Sequence, residues 1–102
     1  MQIDIEATNL ELTAPLRAFV EEKFGKLDKF LKSYDASGIR IKVEVARATK
    51  HHRRGDVYRA EGNLYIPGGM IRAEHTTHDI RVAINKTKNK LEREIKKQKR
   101  SH

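Results

Sequence analysis

The side chains best able to do chemistry are cationic and gather towards the C-terminus. Residues 77–102 hold nine Lys or Arg against three Asp or Glu, a surplus of six within a formal net charge of +8. The preceding 76 residues, with 13 basic and 11 acidic side chains, are nearly balanced. Read at 100° per residue, Lys86, Lys90, Arg93, Lys97 and Arg100 step by four, three, four and three residues and form one row along a helix. At 1.5 Å per residue the row runs ~20 Å. Such a line of ammonium and guanidinium groups suits the phosphates of a nucleic-acid strand, whose neutralisation releases counterions. A charge run is more often a solvated helix face. A solubilising face mixes signs, however, and Glu92 and Glu94 are too few to lace this row with i,i+4 ion pairs. RNA or another polyanion is the expected partner.

Other chemistry is poorly supplied. The chain has no cysteine, which excludes disulfides and thiolate metal sites. His51, His52, His75 and His78 have no carboxylate at a recognised zinc spacing, so no metal is expected. Asp4, Glu44, Glu61 and Glu74 fall on the outer faces of predicted strands, without a nucleophile signature or a Gly-rich phosphate loop. No catalysis, cofactor or small-molecule substrate is expected. Arg54, Gly55 and Asp56 spell a cell-adhesion tripeptide, which a hairpin loop in a cysteine-free basic chain explains better. The N-terminus lacks the pattern of a signal peptide, and no run reaches the ~18 apolar residues of a membrane span. The cytoplasm is the expected location.

The elements that must carry the cations follow from periodicity. With 102 residues, one domain with a single core is expected. Residues 2–8 alternate, with Ile3, Ile5 and Ala7 on one side, as a half-buried strand does. Thr13 suits an N-cap and Pro15 a first turn. Leu16, Phe19, Val20, Phe24, Leu27, Phe30 and Leu31 then recur at helical spacing, predicting a helix to about Lys32. Lys23, Lys26 and Lys29 climb one flank of it; taken alone they read as lysines snorkelling over the core edge. A second strand follows around Ile39, Ile41, Val43 and Val45, then a basic loop holding Lys50, His51, His52, Arg53 and Arg54. Tyr58, Ala60, Gly62, Leu64 and Ile66 share one face of a third strand. Pro67, Gly68 and Gly69 turn the chain into a fourth, with Ile71, Ala73 and His75 inward. Thr76 and Asp79 resemble a capping box for a second helix over residues 77–100, which buries Ile80, Ala83, Ile84, Thr87, Leu91 and Ile95.

The order is β-α-β-β-β-α, an α+β fold. A helix between the first two strands implies that they run parallel, and strands two to four should form an antiparallel meander. Arg40, Lys42, Glu44, Arg59, Glu61, Asn63, Arg72 and Glu74 make the other sheet face polar, so both helices should cover the apolar one. The three Phe belong to the first helix's apolar stripe, which leaves no platform for stacking bases. Recognition of folded RNA by shape and phosphate, through helices and loops, is the remaining mode.

Several pieces in order resemble one family across nearly the whole chain. They are Leu12-Thr13-Ala14-Pro15-Leu16-Arg17, the run from Lys23-Phe24-Gly25 to Lys29-Phe30, Arg59-Ala60-Glu61 and Pro67-Gly68-Gly69. Asp79-Ile80, Ala83-Ile84-Asn85 and Lys90-Leu91-Glu92-Arg93 complete the set. Together they resemble the ribosome hibernation-promoting factor and ribosome-associated inhibitor A family. The resemblance implies a fold like that of double-stranded-RNA-binding domains, with both helices on one sheet face. It implies binding of rRNA in the small ribosomal subunit's channel, on ground needed by mRNA and tRNA, which silences and protects idle ribosomes under stress or in stationary phase.

Carried over by position, the resemblance assigns binding to Lys23, Lys26 and Lys29 on the first helix and to Lys86, Lys90, Arg93 and Lys97 on the second. Arg100 ends the same row, and residues 50–54 form a secondary contact loop. The family usually has an aromatic where this chain has Arg81. The long basic loop looks like that of longer members, which carry a linker and a second, ribosome-pairing domain. The expectation is a short form or an N-terminal domain, monomeric off the ribosome, that does not pair ribosomes itself. Competing classes are a general duplex-RNA or DNA-binding module and a regulatory protein-interaction module acting on transcription.

Overall fold

The structure, a computed structural model, describes residues 1–48 and 55–100, with the Arg100 side chain left out. The N-terminal alternation forms β1 (Gln2–Thr8), with Ile3, Ile5 and Ala7 packed against the core. Asn9 then turns the chain with φ 60, a left-handed conformation that Asn tolerates. Helix α1 (Ala14–Gly25) starts where its residues dictate. The Leu16 N–H donates to Thr13 Oγ1 at 3.3 Å, Pro15 occupies the first turn, and Leu16, Val20 and Phe24 are buried.

The α-helix stops at Gly25, seven residues before the predicted end near Lys32. The chain continues as a 3-10 segment, Lys26–Phe30, that keeps Leu27 buried. Glycine weakens a helix interior, and 3-10 turns are a frequent way to end one. A tighter winding, with residues three apart eclipsed, stacks Lys26 and Lys29 on one edge; both are exposed.

Strands β2 (Arg40–Arg47), β3 (Tyr58–Ile66) and β4 (Gly69–Thr77) complete one sheet of order β1-β2-β3-β4. β1 lies parallel to β2, with Gln2 opposite Arg40, and the other pairs are antiparallel. Pro67 and Gly68 turn β3 into β4 between the paired Ile66 and Gly69. Gly68 has φ 88, the value that a type II turn asks of its second central residue. Helix α2 spans Ile80–Arg100. The capping box is corrected to a single cap. β4 runs on to Thr77 and keeps Thr76 paired with Arg59, while Asp79 Oδ1 accepts from the Arg81 N–H at 2.9 Å. The helix therefore begins three residues later than residue 77.

The β-α-β-β-β-α order is the predicted one, and both helices lie on one sheet face. Above Gly62 of β3, Leu91 of α2 and Phe24 of α1 converge. Val43, Val45, Ala60, Leu64, Ala83, Ile84 and Ile95 are buried around them. α2 covers β3 and β4, and α1 contacts β1 and α2. The opposite sheet face is polar and largely self-satisfied. Arg59 pairs with Glu44 at 3.2 Å, with Glu61 at 2.7 Å and with Glu74, and Arg72 pairs with Glu61.

Candidate nucleic-acid interface

Packing against β3 and β4 fixes the rotation of α2. Ala83, Ile84, Thr87, Leu91 and Ile95 point to the sheet, which leaves the lysine row on the outer side of the helix and on its flank beside β4. Lys86, Arg93 and Lys97 are exposed, and Lys90 is half-buried. Lys90, Arg93 and Lys97 come together with Glu94 of α2 and Arg72 and Ala73 of β4 around an open groove of about 500 Å³. Among the described residues neither Lys86 nor Arg93 has an ion pair or a side-chain hydrogen bond. Lys90 Nζ donates to the backbone carbonyl oxygen of Glu74 at 2.7 Å, and Lys97 pairs with Glu94 at 3.4 Å. Arg100 ends the helix. The loop residues Lys50, His51, His52, Arg53 and Arg54 lie outside the described residues.

Glu92 is turned away from the row, whereas Glu94 reaches Lys97. Glu92 takes Lys88 at 3.2 Å and Lys96 at 3.1 Å, both i,i+4 partners on the flank turned to α1. These hydrogen bonds, with that from Lys96 the strongest influence, hold the Glu92 carboxyl below its ordinary range although burial pushes it up.

The first-helix lysines are placed differently from the row. Lys23 Nζ sits 5.3 Å from the centre of the Phe19 ring and 3.8 Å from Glu22, and Lys29 Nζ sits 5.2 Å from the centre of Phe30. Lys26 is exposed. These lysines share the seam between the helices with two cations of α2 outside the predicted row. Arg81 lies 4.6 Å from the Phe19 ring and Lys96 4.9 Å from the Phe30 ring. Arg72, Arg81, Lys88 and Lys96 were thus missed as interface candidates. Arg81, Lys88 and Lys96, with Glu92, recur at steps of seven, four and four residues, a second row that the sequence carries.

His75 stands at the border of this surface, half-buried on β4 opposite Ala60. Burial lowers its imidazole below the ordinary value, and the nearby charges of Lys90 and Lys86 lower it further. His78 Nδ1 lies 3.0 Å from the Asp56 carbonyl oxygen. Among the described residues no cluster of three or more His, Asp or Glu could hold a metal ion, and no helix is long and apolar enough to cross a membrane.

Comparison with known proteins gives this geometry a context. Residues 3–102 match the family described as Sigma 54 modulation protein / S30EA ribosomal protein. A ribosome hibernation promotion factor of Deinococcus radiodurans is 37% identical over 98 residues, which are 95% of this chain and 49% of that protein. This chain thus spans about half the length of that relative. The ribosome hibernation promoting factor of Escherichia coli (strain K12) is 31% identical over 97% of this chain and 94% of its own. Among solved structures, the N-terminal domain of Thermus thermophilus Protein Y superposes with a TM-score of 0.75 at 31% identity, covering 95% of this chain and 98% of that one. With a family match over residues 3–102, the same fold and relatives above 30% identity, the chain belongs to the Sigma 54 modulation protein / S30EA ribosomal protein family.

Proposed function

We propose that this protein is a ribosome hibernation factor that acts in the cytoplasm, binding rRNA of the small ribosomal subunit in the mRNA and tRNA channel and holding ribosomes inactive under stress. The observation that carries this reading is the outer side of α2, where Lys86 and Arg93 have no carboxylate partner among the described residues and Arg93 lines the groove with Lys90 and Lys97. Cations without internal partners keep their full attraction for phosphate, and each neutralised phosphate adds counterion release. The names of the D. radiodurans and E. coli relatives point to the same partner. Binding by Lys23, Lys26, Lys29, Lys86, Lys90, Arg93, Lys97 and Arg100 is the proposed mode. Residues 50–54 would be an additional contact. The role requires neither catalysis nor a cofactor, and residues 1–102 are proposed to form one ribosome-binding domain, monomeric off the ribosome.

Cosedimentation with vacant small subunits over a range of salt tests the proposal. Association at low salt that weakens as salt rises is expected, and no association at low salt would end it. Replacing Lys86, Lys90 and Arg93 together by Glu should abolish association while leaving the circular dichroism spectrum unchanged. Displacement from ribosomes by an equal concentration of generic duplex RNA would favour a general duplex-binding module. The Sigma 54 modulation wording in the family description supports a second reading, a regulator of transcription through protein contact. That reading predicts a protein partner whose binding survives nuclease treatment.

A further inference from the structure

The outer face of the sheet, which neither helix covers, is ordered in rungs. Strand register places Arg40, Tyr65 and Met70 side by side, then Lys42, Asn63 and Arg72, then the four glutamates Glu6, Glu44, Glu61 and Glu74. Cross-strand partners share a face. Successive rungs lie two residues apart along each strand, or ~7 Å. The first rung carries side chains of the kinds that protein partners contact, Tyr, Met and Arg. The Arg40 guanidinium lies 4.8 Å from the centre of the Tyr65 ring, and Met70 is 48% exposed although apolar.

Two hollows open beside Tyr65. Asp4, Arg40, Lys42 and Tyr65 line one of about 160 Å³. Glu6, Lys42, Glu44, Glu61, Asn63 and Tyr65 line the next, of about 270 Å³. The charges around them are unevenly satisfied. Arg59 pairs with Glu44, Glu61 and Glu74, and Arg72 with Glu61. Among the described residues Arg40, Lys42 and Glu6 have no ion pair, and Asp4 accepts only from Gln2 Nε2, at 3.1 Å. Two free cations thus stand at one end of the hollows, and a free carboxylate one rung, ~7 Å, further on.

This pattern selects the occupant. A nucleic-acid strand carries a negative charge at every phosphate, so it meets Asp4 in the first hollow and the glutamate rung in the second. Like charges so placed repel. A protein segment can change sign from one residue to the next, and in an extended chain alternate side chains point one way at the same ~7 Å spacing as the rungs. We propose that the outer sheet face docks an extended segment of another protein, with an apolar, an acidic and a basic side chain on alternate residues. The apolar group lies over Tyr65 and Met70, the carboxylate between Arg40 and Lys42, and the cation at Glu6. The site is on the far side of the sheet from α2, so it goes beyond the rRNA-binding reading and leaves the lysine row free.

The test titrates isotope-labelled protein with a blocked peptide, Leu-Thr-Glu-Thr-Lys, at low salt, followed by NMR. Shifts are expected at Arg40, Lys42, Tyr65 and Met70. Arg40→Gln and Lys42→Gln should each weaken binding about two- to fivefold, the scale of one exposed ion pair. Tyr65→Ser removes the ring that holds Arg40 and should weaken it about tenfold. Glu6→Lys, a change at an exposed position, should turn the preference to the acidic peptide Leu-Thr-Glu-Thr-Glu, whatever the fate of Tyr65→Ser.

Wild-type protein that gives no shifts on this face, or that binds both peptides equally, would overturn the site. So would shifts of the same residues by a uridine oligonucleotide, which would make the face a nucleic-acid contact. None of these measurements involves the ribosome. Failure of the protein to cosediment with small subunits therefore ends the rRNA reading and leaves the docking site standing.

Discussion

The hydroxyl of Thr87, fully buried in α2, lies 3.1 Å from the carbonyl oxygen of Ala60 in β3. It lies 2.8 Å from the Ala83 carbonyl oxygen as well, so one proton serves both the helix's own turn and the sheet beneath. The contact ties the rotation of α2 to β3, and that rotation decides which lysines face outward. Thr87→Val keeps the shape but loses the donor, at a cost of about 1 kcal/mol. In a domain of this size that corresponds to a melting temperature lower by about 4–8 °C. Thermal unfolding by circular dichroism checks it; an unchanged midpoint would show that the hydroxyl contributes nothing.

Gly62 is the point where both helices meet the sheet. A Cβ there would lie 2.9 Å from Leu91 Cδ1 and 3.4 Å from Phe24 Cε1. Leu91 and Phe24 are fully buried and have little room to give. Overpacking of this kind costs about 1–3 kcal/mol, of which Ala recovers about 0.5–1 kcal/mol through its better fit to a strand. Gly62→Ala should therefore lower the urea midpoint without changing the slope of the transition. Stability equal to the wild type would show that Leu91 moves aside freely.

Arg59 is the hub of the polar sheet face, with Glu44, Glu61 and Glu74 around it. Burial pushes the Glu61 carboxyl up, but hydrogen bonds from Asn63, Arg59 and Arg72, with the Arg59 charge, outweigh it and hold the group below its ordinary range. A depressed carboxyl stabilises the fold above its unfolded value, and that stability is lost as pH falls through the folded one. Arg59→Met should cost about 1 kcal/mol at neutral pH, a figure kept small because solvent reaches the guanidinium. The difference from wild type should shrink in acid, as chemical denaturation at several pH values would show. A constant difference would mean that packing, and not charge, is what Arg59 supplies.

His75 should make both stability and binding depend on pH. Its folded value lies below the ordinary value of about 6.5, so the unfolded chain takes up its proton first as pH falls. Stability then declines from about pH 6.5 downward, until folded His75 is itself protonated, and His75→Gln should flatten this part of the profile. Phosphate docked on Lys86 and Lys90 would offset the charges that disfavour the imidazolium. RNA binding is therefore expected to take up a proton and to tighten in mild acid. Calorimetry in buffers of different ionisation heat measures that proton directly, and its absence in the wild type would separate His75 from the binding surface.

The elements were largely legible because side-chain direction repeats locally, every second residue in β1 to β4 and about every 3.6 in the helices. Ile84, Leu91 and Ile95 announce the buried stripe of α2, and the lysines opposite them announce its outer row, with no knowledge of neighbours needed. Boundaries were less legible. Gly25 ends the α-helix although the apolar spacing continues through Leu27 to Leu31, and β4 holds Thr76 because its partner Arg59 lies seventeen residues earlier.

The chain alone thus determined the order of elements, the buried faces and the basic row of α2, since each depends on spacing along one segment. Tertiary structure decided which cations come together. Arg81 meets Phe19, and Lys96 meets Phe30, across more than sixty residues of sequence, and Arg72 of β4 reaches the groove of Lys90. Those encounters depend on how two helices pack over one sheet, a distance in space that no periodicity within a segment encodes.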